Sequence, residues 1–193
     1  MRIANQFHVI SAVGLVFLCA LSLSARIQTA PNQNVKTRDL VITRVFEVPV
    51  ERVWAAWNNP GYVKTWWGPT GFTAPVARID FREGASSLVC MRSPQGQDMY
   101  NTWTYRKIVP MELIEFVLDW ADKEGNRIDP ESMGLPPDMP RDVRHVVTFK
   151  KVGANKTEMT ITEFGYTSDL HFDLSKAGLE QCLDKMAISF AKS

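Results

Sequence analysis

Residues 73 to 164 read as one strand after another, and a single long amphipathic helix follows them. The stretches "TAPVARIDF", "SSLVCMRS", "YNTWTYRKIV", "LIEFVLDWAD", "VRHVVTFKKV" and "KTEMTITEF" alternate or are rich in β-branched and aromatic residues. Turn signals part them: Glu83-Gly84, "PQGQD", Pro110-Met111-Glu112, "KEGN" and Gly153-Ala154-Asn155. Strands that follow one another without a helical crossover pair as antiparallel hairpins. One face of such a sheet must be covered. The closing stretch "DLSKAGLEQCLDKMAISFAKS" supplies the cover, with an Asp or Ser to cap its start. It carries Leu174, Leu179, Cys182, Leu183, Met186 and Phe190 on one stripe. The pattern predicts an α+β chain: a curved antiparallel sheet of about six to seven strands wrapped on a C-terminal helix. A twisted sheet curling around one helix leaves a wedge between them.

Ahead of these strands lies a strand, "LVITRVFEV", stopped by Pro49. The period then changes: Val50, Val53, Trp54 and Trp57 recur at helical spacing until Asn58-Asn59-Pro60-Gly61 breaks it. "YVKTWW" makes a second short helix closed by Gly68-Pro69, so two short helices follow the first strand. Four of the six tryptophans fall between residues 50 and 72, at the end of the sheet next to the wedge. There they either seal the core or line a hollow. Along the strand at 100–109, Trp103 and Tyr105 share the face with more apolar area and are expected inward, with Phe116, Leu118 and Trp120 matching them on the next strand. The segment "RIDPESMGLPPDMPRD" is too proline-rich for a regular element and long for a hairpin loop, as functional rims and lids are.

The ionisable candidates are Asp119, Arg144, His145 and Glu163. His145 shares a strand face with Val143 and Val147; it is either a satisfied structural histidine or a cavity acid/base group. Arg144 takes the outer face, and His171, just before the helix, is expected to be exposed. No Ser-His-Asp layout, glycine-rich phosphate loop or paired-carboxylate spacing is present, and no cofactor is indicated. The three histidines are scattered and no CxxC occurs, which speaks against a metal site. With 22 basic and 21 acidic residues evenly spread, nucleic acid is not an expected partner.

The first 25 residues have another character. Arg2 precedes an apolar run from Val9 to Leu21, and small residues follow at Ser22, Ser24 and Ala25. This is the layout of a secretory signal or, if uncleaved, of a membrane anchor through residues 9–25. Either would place the protein outside the cytoplasm or on a membrane; a misassigned start would leave it cytoplasmic. Residues 26–39 read as a linker, and the domain as 40–193. Cys90 and Cys182 are read as buried thiols, or as a disulfide if the chain is exported.

"TRVFEVPVERVWAAWNNPGYVKTWWGP" resembles the opening of the SRPBCC superfamily, the StAR-related lipid-transfer-like or helix-grip fold. Within it the chain is most similar to the group named after the C-terminal domain of the 90-kDa heat-shock protein ATPase activator. That group opens with an Arg-containing strand, a Pro, a Val-Trp helix, an Asn/Asp-Pro break and a Trp ahead of Gly-Pro. Here these are Arg44, Pro49, Val53-Trp54-Ala55-Ala56, Asn59-Pro60 and Trp67-Gly68-Pro69. "YRKIVPMELIEF" matches its strand-turn-strand through Tyr105, Ile108, Pro110, Glu112, Leu113 and Phe116. "GLEQCLDKM" matches its terminal helix, with Leu179 in place of the usual Trp. The resemblance covers about residues 40 to 193 and implies a hydrophobic cavity between sheet and helix.

The expected cavity residues are Trp54, Trp57, Trp66, Trp67, Trp103, Tyr105, Phe116, Trp120, His145 and Met186, and the expected partner is a small apolar or amphipathic molecule. Two other readings follow from the fold. A cyclase- or hydrolase-like enzyme would use His145, Tyr105 or Asp119 as acid/base. A chaperone-activator role would need an exposed apolar patch, and an export signal argues against it.

Overall fold

The computed structural model describes residues 36–136 and 139–191. The leader expected over residues 1–25, and the linker up to residue 35, lie outside them. The chain runs β1 (Arg38–Phe46), α1 (Val50–Asn58), α2 (Pro60–Trp66), β2 (Thr73–Arg78), β3 (Ser86–Arg92), β4 (Asp98–Val109), β5 (Leu113–Ala121), a 3-10 turn (Pro130–Met133), β6 (Val143–Gly153), β7 (Lys156–Tyr166) and α3 (Asp169–Ala191). The seven strands form one sheet in the order β1-β7-β6-β5-β4-β3-β2. Every neighbouring pair is antiparallel.

This order explains the two short helices. β1 and β2 are the opposite edges of the sheet, so the chain must cross its whole width between them. α1 and α2 make that crossing, and from β2 the chain returns strand by strand through hairpins. Asn59 sets the corner between the helices. Its extended backbone ends α1, and its Oδ1 accepts from the backbone N–H groups of Gly61 (2.8 Å) and Tyr62 (3.4 Å) at the start of α2. Pro60 at the first helical position donates no hydrogen bond and loses nothing there.

The core lies between the inner sheet face and α3. Period-two alternation puts Trp103 and Tyr105 of β4, Ile114 and Phe116 of β5, Val147 and Phe149 of β6, and Met159 and Ile161 of β7 on that face, all buried. Leu179, Leu183, Met186 and Phe190 bring α3 down onto them at spacings of three and four. The strand signals read correctly as antiparallel neighbours. The β1–β7 pairing carries no local signal, because it joins residues more than a hundred positions apart.

Three local expectations change. α3 starts at Asp169, four residues before the expected Asp173, with Ser168 Oγ reaching the His171 N–H at 3.4 Å. His171 therefore sits in the first turn of the helix and is 3% exposed, not solvent-facing. Leu174 lies off the buried stripe and is 57% exposed. Leu174 is nine residues from Leu183, about half a turn round the helix, so the two face opposite sides.

Candidate functional site

The wedge is open. A cavity of about 310 Å³ lies between the inner face of β4–β7, the first half of α3, the turn after α2 and the proline-rich segment before β6. Its sheet wall includes a row across four strands: Met99 and Asn101 of β4, Leu118 and Trp120 of β5, Val143 and His145 of β6, and Glu163 of β7. α3 contributes Leu174, Ser175, Gly178, Leu179 and Cys182. These positions form a second stripe beside the core-facing one, since helix residues three and four apart share a face. Gly178 is the reason that stripe leaves room, because a Cβ there would meet nothing within 4 Å.

The turn after α2 forms a third wall with Trp67, Gly68, Pro69 and Phe72. Gly68 has φ +91°, and a Cβ would come within 3.1 Å of both Met91 Cβ and Phe72 Cβ, so only glycine fits. α3 holds this turn in place. Lys185 Nζ donates to the carbonyls of Gly68 (2.8 Å) and Phe72 (3.0 Å), and Gln181 Oε1 accepts from Thr70 N–H (3.0 Å). The fourth wall is Leu135, Met139 and Pro140 from the proline-rich segment. Trp120 Nε1 donates to Pro140 O at 3.0 Å, tying that segment to the sheet. Its base is closed by Arg127, which pairs with Asp119 (2.9 Å) and Asp142 (2.6 Å).

One polar knot sits in this wall. Glu163 Oε1 accepts from His145 Nε2 at 2.9 Å, and Oε2 accepts from Tyr166 OH at 2.5 Å and Ser175 Oγ at 2.6 Å. Burial alone would push the Glu163 carboxyl up. The charge and hydrogen bond of His145, with the two hydroxyls, outweigh that and hold it below the usual carboxylate range. His145 Nδ1 lies 2.8 Å from Val143 O, which can only accept. Both ring nitrogens are thereby engaged, one by Val143 and one by Glu163. The imidazole also stacks on Phe116, with centroids 4.7 Å apart. Burial, then the Glu163 charge, pushes the Tyr166 hydroxyl up, so it stays protonated and donates.

Of the residues expected at the cavity, Trp67, Trp120 and His145 line it. Trp54, Trp57, Trp66, Trp103, Tyr105, Phe116 and Met186 are buried but stand outside the lining. Most of these rings build an aromatic cluster behind it. Trp57 lies 4.8 Å from Trp66 and 5.9 Å from Trp103 between centroids, and Trp103 meets Trp67 edge-on at 4.8 Å. The tryptophan-dense opening thus mostly packs core, with Trp67 alone reaching the hollow. Among the ionisable candidates, Glu163 lines the cavity, Arg144 faces out to Glu115 at 2.8 Å, and Asp119 sits beside Arg127. Asn101, Ser175 and Gly178 were not expected there. Asn101 had a signal, since it alternates with Trp103 and Tyr105 on one strand face.

A curved antiparallel sheet gripping a terminal helix, with a hollow between the two, defines a helix-grip protein. The chain belongs to the family described as "Activator of Hsp90 ATPase homolog 1-like protein", whose model matches residues 47–191. Solved structures of bacterial proteins share the fold. One is a protein of Arthrobacter aurescens at 21% identity, covering 84% of this chain and 91% of that one, with a TM-score of 0.66. Another is a Mycobacterium smegmatis protein at 22% identity, covering 81% and 93%, with a TM-score of 0.63. A third is the AHSA1 protein of Silicibacter pomeroyi at 19% identity, covering 80% and 98%, with a TM-score of 0.64. A comparison with curated proteins gives no match.

Proposed function

We propose that this protein is a binding module that holds a small, mostly apolar molecule between its sheet and α3. The cavity of about 310 Å³ carries the reading. It stands at the small end of ligand pockets, which run from about 300 to 1,000 Å³. Its wall is mostly apolar with a few polar groups, which is the chemistry such pockets use to orient a guest. The enzyme alternative has less support. Tyr105 and Asp119 stand outside the lining, and His145 spends both ring nitrogens on protein partners.

Residues 1–25 extend the reading to place. A leader or anchor there would put the cavity outside the cytoplasm or at a membrane surface, and cell fractionation would show a cytoplasmic protein if that is wrong. Filling the hollow tests the binding role. Gly178→Leu adds a side chain into open space and removes a helix-weakening glycine. In calorimetric titration the wild type should take up p-xylene and the variant should not, with helix content unchanged by circular dichroism. Equal uptake by both, or none by the wild type, would remove the basis for a binding role.

A further inference from the structure

Asn101 is 0% exposed and lines the cavity, and neither its Oδ1 nor its Nδ2 meets a hydrogen-bond partner among the described residues. The indole Nε1 of Trp67, also a lining residue, is buried without a partner in the same way. Buried polar groups are paired in folded proteins, because an unpaired one loses its hydration for nothing. Both side chains line the same cavity. The Trp67 ring packs edge-on against Trp103 at 4.8 Å, and Trp103 follows Asn101 by two residues on the same face of β4. Most other polar groups of the lining are engaged. Glu163 already has three partners, His145 engages both its ring nitrogens, Tyr166 and Ser175 give their hydroxyls to Glu163, and Trp120 gives its N–H to Pro140. Among the described residues, no lysine or arginine lines the space.

Resting on the binding role proposed above, we infer that the cavity takes a neutral, mostly apolar molecule bearing one amide-type group, an N–H beside a C=O, which pairs with Asn101 and Trp67. The side-chain amide of Asn101 offers a donor and an acceptor side by side, the complement of such a group. The guest carbonyl accepts from Asn101 Nδ2 and Trp67 Nε1, and its N–H donates to Asn101 Oδ1. A carboxylate guest would bring a second negative charge near Glu163 with no unengaged cation to meet it. A simple ketone or ester would leave Asn101 Oδ1 unpaired.

Three matched probes test this on the whole chain: hexanamide, N,N-dimethylhexanamide and methyl hexanoate. Binding is followed by two-dimensional NMR at the Asn101 side-chain N–H and Trp67 indole N–H signals. Hexanamide should bind at least about tenfold more tightly than the other two and should shift both signals. Asn101→Leu should abolish that preference while raising the thermal midpoint, because an unpaired buried amide is replaced by an apolar group. Three equal affinities, all lost in Gly178→Leu, would overturn the amide assignment and leave the apolar cavity standing. Hexanamide binding that leaves the Asn101 and Trp67 signals unmoved would overturn it too. No binding by any probe would overturn the assignment and the binding role together.

Discussion

Glu163 is buried in the cavity wall with three donors on its two oxygens, and its titration bears on stability. Its folded-state pKa lies below the unfolded value, so the stabilisation is complete above the ordinary carboxylate range near 4.5. It is lost as the pH falls below that range, through the depressed folded value. Glu163→Gln should cost about 3 kcal/mol at neutral pH, because it leaves His145 without its carboxylate and puts an amide against two hydroxyl donors. It should also flatten the acid limb of a urea-midpoint profile; an unchanged limb would mean the carboxylate is not what acid titrates. Cys90 and Cys182 give a second residue-scale outcome. Both are free and buried, and desolvation above all raises their thiols to about 11. Thiols so held carry almost no thiolate at neutral pH. Iodoacetamide should leave the Cys90 peptide, which lies outside the cavity lining, unmodified in the folded protein and label it in urea, as read by mass mapping. Labelling of Cys90 in the folded state would contradict its burial.

α3 carries two stripes with different duties, and substitution separates them. Leu183, fully buried against the sheet, belongs to the first. Leu183→Ala should cost about 2–5 kcal/mol of unfolding free energy. Leu174, at the cavity rim and 57% exposed, belongs to the second, and Leu174→Ala should cost less than about 0.5 kcal/mol. Similar losses in the two urea titrations would mean that the helix is rotated from the placement described. The core stripe was legible in the sequence because helical periodicity reports burial directly. The helix start was not, since "SDLHF" mixes three polar with two apolar residues and Ser168 competes with Asp173 as a start signal. The cavity stripe was hidden for a related reason. Ser175 and Gly178 line the space by being small, and apolar pattern does not register a missing side chain.

At the scale of the molecule, the strand–helix–helix–strands–helix order and the antiparallel pairing could be read from alternation and turn chemistry. The β1–β7 closure could not, because long-range pairing leaves no local trace. The site was read less well for the same physical reason. Aromatic density at 50–72 marks where a large core is built, and the rings of Trp54, Trp57 and Trp66 build it. The hollow lies one layer aside, where Asn101, Glu163 and Gly178 come together from β4, β7 and α3. The central claim is that this hollow exists in the folded protein and admits an apolar guest. A crystal structure under xenon pressure tests it most directly, because xenon enters apolar cavities and scatters strongly. The expected result is xenon density bounded by Leu118, Val143 and Leu179 in the wild type. A space closed by the protein's own side chains, with no xenon between the sheet and α3, would contradict the account.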